Sequence, residues 1–117
     1  MSERSDLVYL SDMLDSIGAI EQFVAGLDFS AFVGDRKTYS ATLRELEIIG
    51  EAAGKVSDEF KTRNLAIDWR TLKDFRNVLA HEYFGVNSEI VWDVVVNKLP
   101  VLKGLLEGIM GVGKKGD

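Results

Sequence analysis

Hydrophobic residues recur every three or four positions along most of this chain, which is the spacing of one buried face of an α-helix. In the N-terminal segment these positions are Leu7, Leu10, Met13, Leu14, Ile17, Ile20 and Val24. The pattern predicts a first helix that begins at Ser5 or Asp6, since either residue is a suitable N-cap. The helix should continue to about Ala25, and the following glycine, Gly26, ends it.

The middle of the chain repeats the helical spacing between short turns. Asp28 can cap a short turn that bears two phenylalanines. A second long helix is predicted from about Arg36 to Val56, and its inward positions are Tyr39, Leu43, Leu46, Ile49, Ala53 and Val56. Ser57 and the two acidic residues after it can cap a short third helix around Phe60.

The C-terminal half of the chain contains two more helical patterns. Asp68 precedes an apolar stripe made of Trp69, Leu72, Phe75 and Leu79, and this helix should end around Tyr83–Gly85. The last helix should begin at Asn87 or Ser88 and extend to about Ile109. Pro100 lacks a backbone N–H, so it should kink this helix or break it in two.

The predicted fold is therefore all-α, a bundle of four or five helices. At 117 residues the chain has the length of one domain. We assign residues 1–110 to a single helical domain and residues 111–117 to a flexible tail, because the tail shows no apolar periodicity.

Composition narrows the functional classes. The absence of cysteine excludes disulfides, thiolate catalysis and the usual zinc sites. No apolar run approaches the roughly 18 residues of a membrane span, and the N-terminus is too polar for a signal peptide, so a cytoplasmic protein is expected. Fourteen Lys and Arg against nineteen Asp and Glu give a net charge of −5. Such a chain is not an obvious nucleic-acid binder, because affinity for phosphates depends on cationic side chains.

Two glycines, Gly50 and Gly54, lie four residues apart inside the second long helix. Glycine costs about 1 kcal/mol relative to alanine in a helix, so both positions need an explanation. We interpret them as points where two helices approach each other closely.

The one histidine of the chain, His81, is the best candidate for chemistry. A helix turns about 100° per residue, which places Asn77 and His81 on one flank of the fourth helix, with Arg76 at its border. Histidine titrates near neutrality and can move the proton of a ribose 2′-hydroxyl or of a leaving oxygen. Arginine can bind the non-bridging phosphate oxygens. The flank is therefore suited to phosphodiester chemistry, although a surface histidine and arginine without any role fit the same spacing.

The segment from Arg76 to Tyr83, RNVLAHEY, resembles the R-x4-H-x-Y motif of HepT-type toxins, a branch of the HEPN ribonuclease superfamily. Further segments resemble the same family in the same order along residues 4–110. They are Tyr9-Leu10-x-Asp12, Ile49-Gly50-Glu51-Ala52-Ala53, Trp69, Tyr83-Phe84-Gly85-Val86 and Val91-Trp92. R-x4-H alone would be a weak signal, whereas the combination is specific.

The resemblance implies a metal-independent endoribonuclease that acts as the toxin of a two-gene toxin–antitoxin system. Arg76 and His81 take the catalytic positions, and Asn77 is the polar residue that follows the arginine. Family members form homodimers in which two copies of the motif build one cleft. Tyr83 matches the tyrosine that a partner, a minimal nucleotidyltransferase antitoxin, adenylylates. The chain itself then needs no cofactor or metal, while ATP and Mg²⁺ serve the partner.

Gly50 and Glu51 are expected to support the cleft, because their helix should pack near the motif. For Glu51, a surface or capping role is the alternative. Two other functions also remain open at this point. One is a HEPN-like module that binds a nucleotide or a protein without catalysis, and the other is a structural subunit of a nucleotidyltransferase complex.

Overall fold

The computed structural model describes residues 3–82 and 85–111, and within these ranges the regular structure is entirely helical. The helices are α1 (Glu3–Val24), α2 (Phe29–Gly34), α3 (Arg36–Lys55), α4 (Asp58–Arg63), α5 (Trp69–His81), α6 (Ser88–Asp93) and α7 (Leu99–Met110). A π-helical segment, Val94–Lys98, joins α6 to α7 without a break. The all-α prediction is confirmed: if α6, the π-helical segment and α7 are counted as one continuous helix, the described residues form four long helices and two short ones.

Most helices begin at the polar residues that the sequence indicates. Asp28, Asp35, Ser57, Asp68 and Asn87 each accept a hydrogen bond from a backbone N–H two or three residues further on. Each bond satisfies one of the N–H groups that the first turn of a helix leaves without a partner. The start of every helix from α2 to α6 is therefore fixed by local chemistry.

The first helix is the exception. It begins at Glu3, and Asp6 lies inside it with only 1% of its surface exposed. The carboxylate of Asp6 accepts hydrogen bonds from the backbone N–H and the hydroxyl of Ser57, both at 2.8 Å. The prediction that Ser5 or Asp6 caps this helix is wrong, because Asp6 instead ties α1 to the start of α4, fifty-one residues away.

The helix α3 lies at the centre of the fold. It packs against α1 along one side and against α5 along another, while α7 packs against α1. The buried core joins all four long helices, and its most enclosed members are Leu10, Met13, Ile17, Ile20, Phe32, Leu43, Ile49, Leu79, Val91 and Leu106. Because α5 contacts the rest of the domain mainly through α3, the position of the motif depends on the α3–α5 contact.

The last helix is continuous, but its hydrogen bonding changes from α to π over Val94–Lys98, just before Pro100. The backbone N–H of Leu99 bonds to the carbonyl of Val94, five residues earlier, and Pro100 occupies the first turn of α7. That position suits proline, because its missing N–H is not needed there. Of the predicted tail 111–117, residues 112–117 lie outside the described residues. Within the described ranges, no helix is both long enough and apolar enough to cross a membrane.

Candidate active site

The helix α5 carries the candidate site and is anchored at its first turn by Asp68. One carboxylate oxygen of Asp68 accepts the backbone N–H of Thr71 at 3.1 Å, and the other accepts the Thr71 hydroxyl at 2.7 Å. The bond from the hydroxyl is the largest cause, and the bond from the N–H the next, of a pKa of Asp68 that is lowered below its ordinary value. Both stabilise the charged carboxylate at the positive end of the helix.

Arg76 packs directly against α3 at Gly50. A Cβ atom added to Gly50 would lie 2.7 Å from Cγ of Arg76, closer still to its Cβ, and 3.2 Å from the carbonyl oxygen of Leu72. Only glycine leaves room for the two helices at this distance. The interpretation that two helices approach closely is therefore correct for Gly50. It is wrong for Gly54, because a Cβ atom added there would have no neighbour within 4 Å among the described residues.

Two polar groups border the guanidinium of Arg76. Its Nη2 lies 3.5 Å from Oε2 of Glu51, and its Nη1 donates a hydrogen bond of 3.3 Å to Oδ1 of Asn77. The Nε atom is buried and has no hydrogen-bond partner among the described residues. The side chains of Arg76 and Glu51 are 36% and 43% exposed. The stem of Arg76 is thus packed inside the domain while its outer nitrogens reach the surface.

His81 occupies the exposed C-terminal end of the same helix. Its Nδ1 lies 2.9 Å from the backbone carbonyl oxygen of Asn77. Because a carbonyl oxygen can only accept, Nδ1 carries the hydrogen in this contact. In the neutral ring Nε2 is then the unprotonated nitrogen, which is the form that a general base requires.

Asn77 connects the two candidate catalytic groups. Its side chain accepts from Arg76, and its backbone carbonyl orients the ring of His81. The structure thus brings together four of the residues singled out in the sequence, namely Arg76, Asn77, Glu51 and Gly50, with His81 one turn further along α5. A preset cation and an oriented imidazole on one helix can stabilise and protonate groups around a phosphate.

The predicted modification site, Tyr83, lies outside the described residues. The helix itself ends at His81, where Glu82 is the C-cap and its backbone N–H bonds to the carbonyl of Val78. The prediction that this helix ends around Tyr83–Gly85 therefore places its end too late.

A groove of about 350 Å³ runs beside Glu51, between α1 and α3. Its polar lining includes Asp12 and Asp15 from α1 and Glu51 and Lys55 from α3. Three carboxylates face one ammonium group, so this side of the site is unfavourable for a polyanion. The sequence had indicated Asp12 only as part of a family pattern, and its nearness to Glu51 emerges from the packing of α1 on α3.

A further cation, Lys73, lies on the candidate catalytic flank outside the R-x4-H motif. Lys73 is exposed and lies three residues after Arg70 and four before Asn77. Residues at these spacings share one face of a helix. The spacing of Lys73 from Arg70 and Asn77 indicates this position from the sequence alone, although the R-x4-H motif does not include it.

Comparisons with known proteins identify the family to which this chain is similar. Residues 13–109 match the family model described as "Ribonuclease HepT-like". The chain is 40% identical over 105 residues to "Probable ribonuclease HepT" of Thermococcus cleftensis, covering 90% of this chain and 96% of that protein. It is also 36% identical over 100 residues to a protein of Methanocaldococcus jannaschii named as a "Putative RNase", covering 86% of this chain and 83% of the relative. No solved structure matches the chain.

Proposed function

The chain belongs to the HepT-like ribonuclease family, and from this premise we propose that it is an endoribonuclease that uses Arg76 and His81 and needs no metal. The observation that carries the proposal is the placement on α5 of an arginine whose stem packs against α3 and of an imidazole whose Nδ1 contact leaves Nε2 unprotonated in the neutral ring. Asn77 contacts both groups.

In this proposal each side chain has a defined role. Nε2 of His81 moves a proton at the ribose 2′-hydroxyl or at the leaving oxygen. The outer nitrogens of Arg76 bind the non-bridging phosphate oxygens, whose negative charge grows in the transition state. Asn77 keeps the imidazole in the tautomer that leaves Nε2 free.

The experiment is a cleavage assay with the purified chain and an unstructured RNA in excess EDTA. The proposal expects cleavage by the parent and cleavage slowed by about 10²–10⁴-fold in His81→Ala, while Lys37→Ala, on an exposed turn of α3, cleaves like the parent. Cleavage that needs an added metal ion, or an RNA left intact by the parent, would contradict it. The second result would instead favour a non-catalytic binding module.

We further propose that the active unit is a homodimer in which the α5 helices of two copies meet. The support is the open surface at the C-terminal half of α5, where His81 is exposed and Val78 exposes 40% of its surface. A second copy would bring two sets of Arg76 and His81 together and raise the local positive potential. Light scattering at micromolar concentration should give twice the chain mass, and a monomer would contradict the proposal.

The proposed physiological role is that of a toxin silenced by a minimal nucleotidyltransferase. This proposal is supported by the family to which the chain belongs and by the spacing of Arg76, His81 and Tyr83 in the sequence. An adenylyl group on Tyr83 would bring a phosphate that competes for Arg76. The test is incubation with the nucleotidyltransferase, ATP and Mg²⁺, followed by peptide mass spectrometry. Adenylyl mass on Tyr83 with loss of cleavage supports the role, and silencing of Tyr83→Phe by modification elsewhere contradicts it.

A further inference from the structure

Cationic side chains are concentrated in one part of this acidic chain. Residues 61–81 contain five of the fourteen Lys and Arg residues and only two of the nineteen Asp and Glu residues. This segment comprises the second half of α4, the connecting loop and all of α5. A surface that is locally cationic on an acidic protein binds polyanions at that surface and repels them elsewhere.

The helix α5 arranges two of these cations in line with the candidate catalytic residues. Arg70, Lys73, Asn77 and His81 lie at intervals of three or four residues and therefore share one face. Arg70 is 91% exposed, and its contact with Asp74 is long, at 3.9 Å between nitrogen and oxygen. Lys73 is exposed and makes no ion pair among the described residues. Both cations are thus available to an external anion.

The line of cations leads to a second groove, between α4 and the start of α5, which we call the α4–α5 groove. Its volume is about 710 Å³, and its lining includes Lys61, Leu65, Trp69 and Arg70. Leu65 exposes 74% of its surface, although it is apolar. Apolar and aromatic surface beside cations is the combination that receives unpaired bases of single-stranded nucleic acids.

The α4–α5 groove differs in charge from the groove beside Glu51. The lining of the α4–α5 groove also includes Asp58 and Asp68, whose two negative charges balance those of Lys61 and Arg70. Lys61 lies over the ring of Trp69, with its ammonium 5.9 Å from the ring centre. The other groove, beside Glu51, has three carboxylates and one lysine. Charge therefore distinguishes the two sides of the site.

Building on the proposed function, we propose that the RNA strand next to the cleaved bond runs along α5 towards its N-terminus. Arg70 and Lys73 bind successive phosphates, and an unpaired base enters the α4–α5 groove against Leu65 and Trp69. From His81 to Arg70 the helix rises by about 16 Å at 1.5 Å per residue, so several nucleotides are contacted. This surface binds the substrate, while the chemistry stays at Arg76 and His81.

The test measures RNA binding in a His81→Ala background, so that the substrate survives. The anisotropy of a labelled, unstructured RNA of about twelve nucleotides is followed against salt concentration, with Arg70→Ala/Lys73→Ala as the test variant. Each lost phosphate contact lowers the slope of log K against log salt by about 0.7 for a single strand, so the double variant should lose about 1.4. Its affinity at low salt should fall about tenfold, and Leu65→Ser should weaken binding without changing the slope.

The matched control is Arg36→Ala/Lys37→Ala, which removes two exposed cations at the start of α3, outside the proposed path. It should leave the slope unchanged. An equal loss in control and test variants, or an unchanged slope in the test variant, overturns the path along α5. A parent chain that cleaves no RNA overturns the proposed function itself, so the two failures are distinguishable.

Discussion

Arg76 and His81 lie five residues apart on one helix, yet their surroundings differ in almost every respect. Arg76 packs against α3 where only glycine fits, and its Nε is buried. Its outer nitrogens face Glu51 and Asn77. His81 lies at the exposed end of α5, and its one hydrogen bond among the described residues is to the carbonyl of Asn77, within its own helix.

The two candidate catalytic groups are therefore held in place in two different ways. The tertiary packing of a single chain positions the cation, and in the proposed mechanism this position lets it stabilise charge without reorganisation during the reaction. The imidazole is oriented only by its own helix and is open on its outer side, where substrate or a second copy can complete its surroundings. Substitutions around Arg76 should therefore alter both stability and activity, whereas substitution of His81 should alter activity alone.

The largest expected effects come from removing the two groups themselves. His81→Ala should slow RNA cleavage by about 10²–10⁴-fold, the usual contribution of a general acid or base. Arg76→Ala should slow it by about 10²–10³-fold, as for other preorganised charge stabilisers. Single-turnover kinetics measure both rates, and circular dichroism checks that the helices are retained.

Arg76→Lys sharpens the same comparison. It retains the positive charge but loses the planar fork and the Asn77 contact, so it should recover little of the lost rate. If any of these three variants cleaved RNA at the parental rate with an unchanged circular dichroism spectrum, the substituted residue would have no catalytic role.

Gly50→Ala should have the next largest effect. The added methyl group overlaps the stem of Arg76, and overpacking of this kind costs about 1–3 kcal/mol of stability. Because the guanidinium must shift, the cleavage rate should fall by at least tenfold, since small misplacements of catalytic groups are expensive. Thermal unfolding and single-turnover kinetics measure the two effects.

Gly54→Ala is the matched control for Gly50→Ala. It lies one turn further along the same helix, is exposed and has open space around its Cβ direction. Alanine should raise its helix stability by up to about 1 kcal/mol and leave cleavage unchanged. If the two alanine variants behaved alike, the close approach at Gly50 would not position Arg76.

These glycines also show what the sequence alone could and could not provide. Apolar periodicity and capping residues were enough to predict the helices, because both are local properties. Tertiary packing decides which of the two glycines faces a neighbouring helix. Only the structure shows that Gly50 does so and that Gly54 does not. The same holds for Asp6, whose partner Ser57 is distant in sequence. Within the site, Arg76 and His81 followed from the motif, whereas the contact with Glu51 required the fold.

Glu51→Gln should have a smaller effect than Gly50→Ala. The ion pair with Arg76 is long, at 3.5 Å, and both side chains are partly exposed. Pairs of this kind contribute up to about 1 kcal/mol, so the cleavage rate should fall by a few fold at most, and Glu51→Ala should lower it slightly more. The control is Glu47→Gln, one turn earlier on α3, whose partner is Arg44. A large increase in rate for Glu51→Gln would show that Glu51 competes with the substrate for Arg76.

The smallest expected effect is on the stability of α5 at different pH values. The folded-state pKa of Asp68 is lowered by its bonds to Thr71, so its stabilisation is present above its ordinary pKa and disappears as the pH falls through the lowered one. Asp68→Ala should lower the thermal midpoint at pH 7, and the difference from the parent should vanish in acid below both values. A difference that stays constant across this range would show that the carboxylate charge is not what caps α5.

The central claim is that the exposed imidazole of His81 transfers a proton while Arg76, packed against α3, binds the phosphate. Chemical rescue tests this claim most directly. RNA cleavage by His81→Ala and by Arg76→Ala is measured in EDTA with increasing concentrations of free imidazole. Because the side chain of His81 is exposed, imidazole should reach the space left by His81→Ala and restore cleavage in proportion to its concentration. It should not restore Arg76→Ala, which still has its own histidine. No restoration of His81→Ala, or equal stimulation of both variants, would contradict the account.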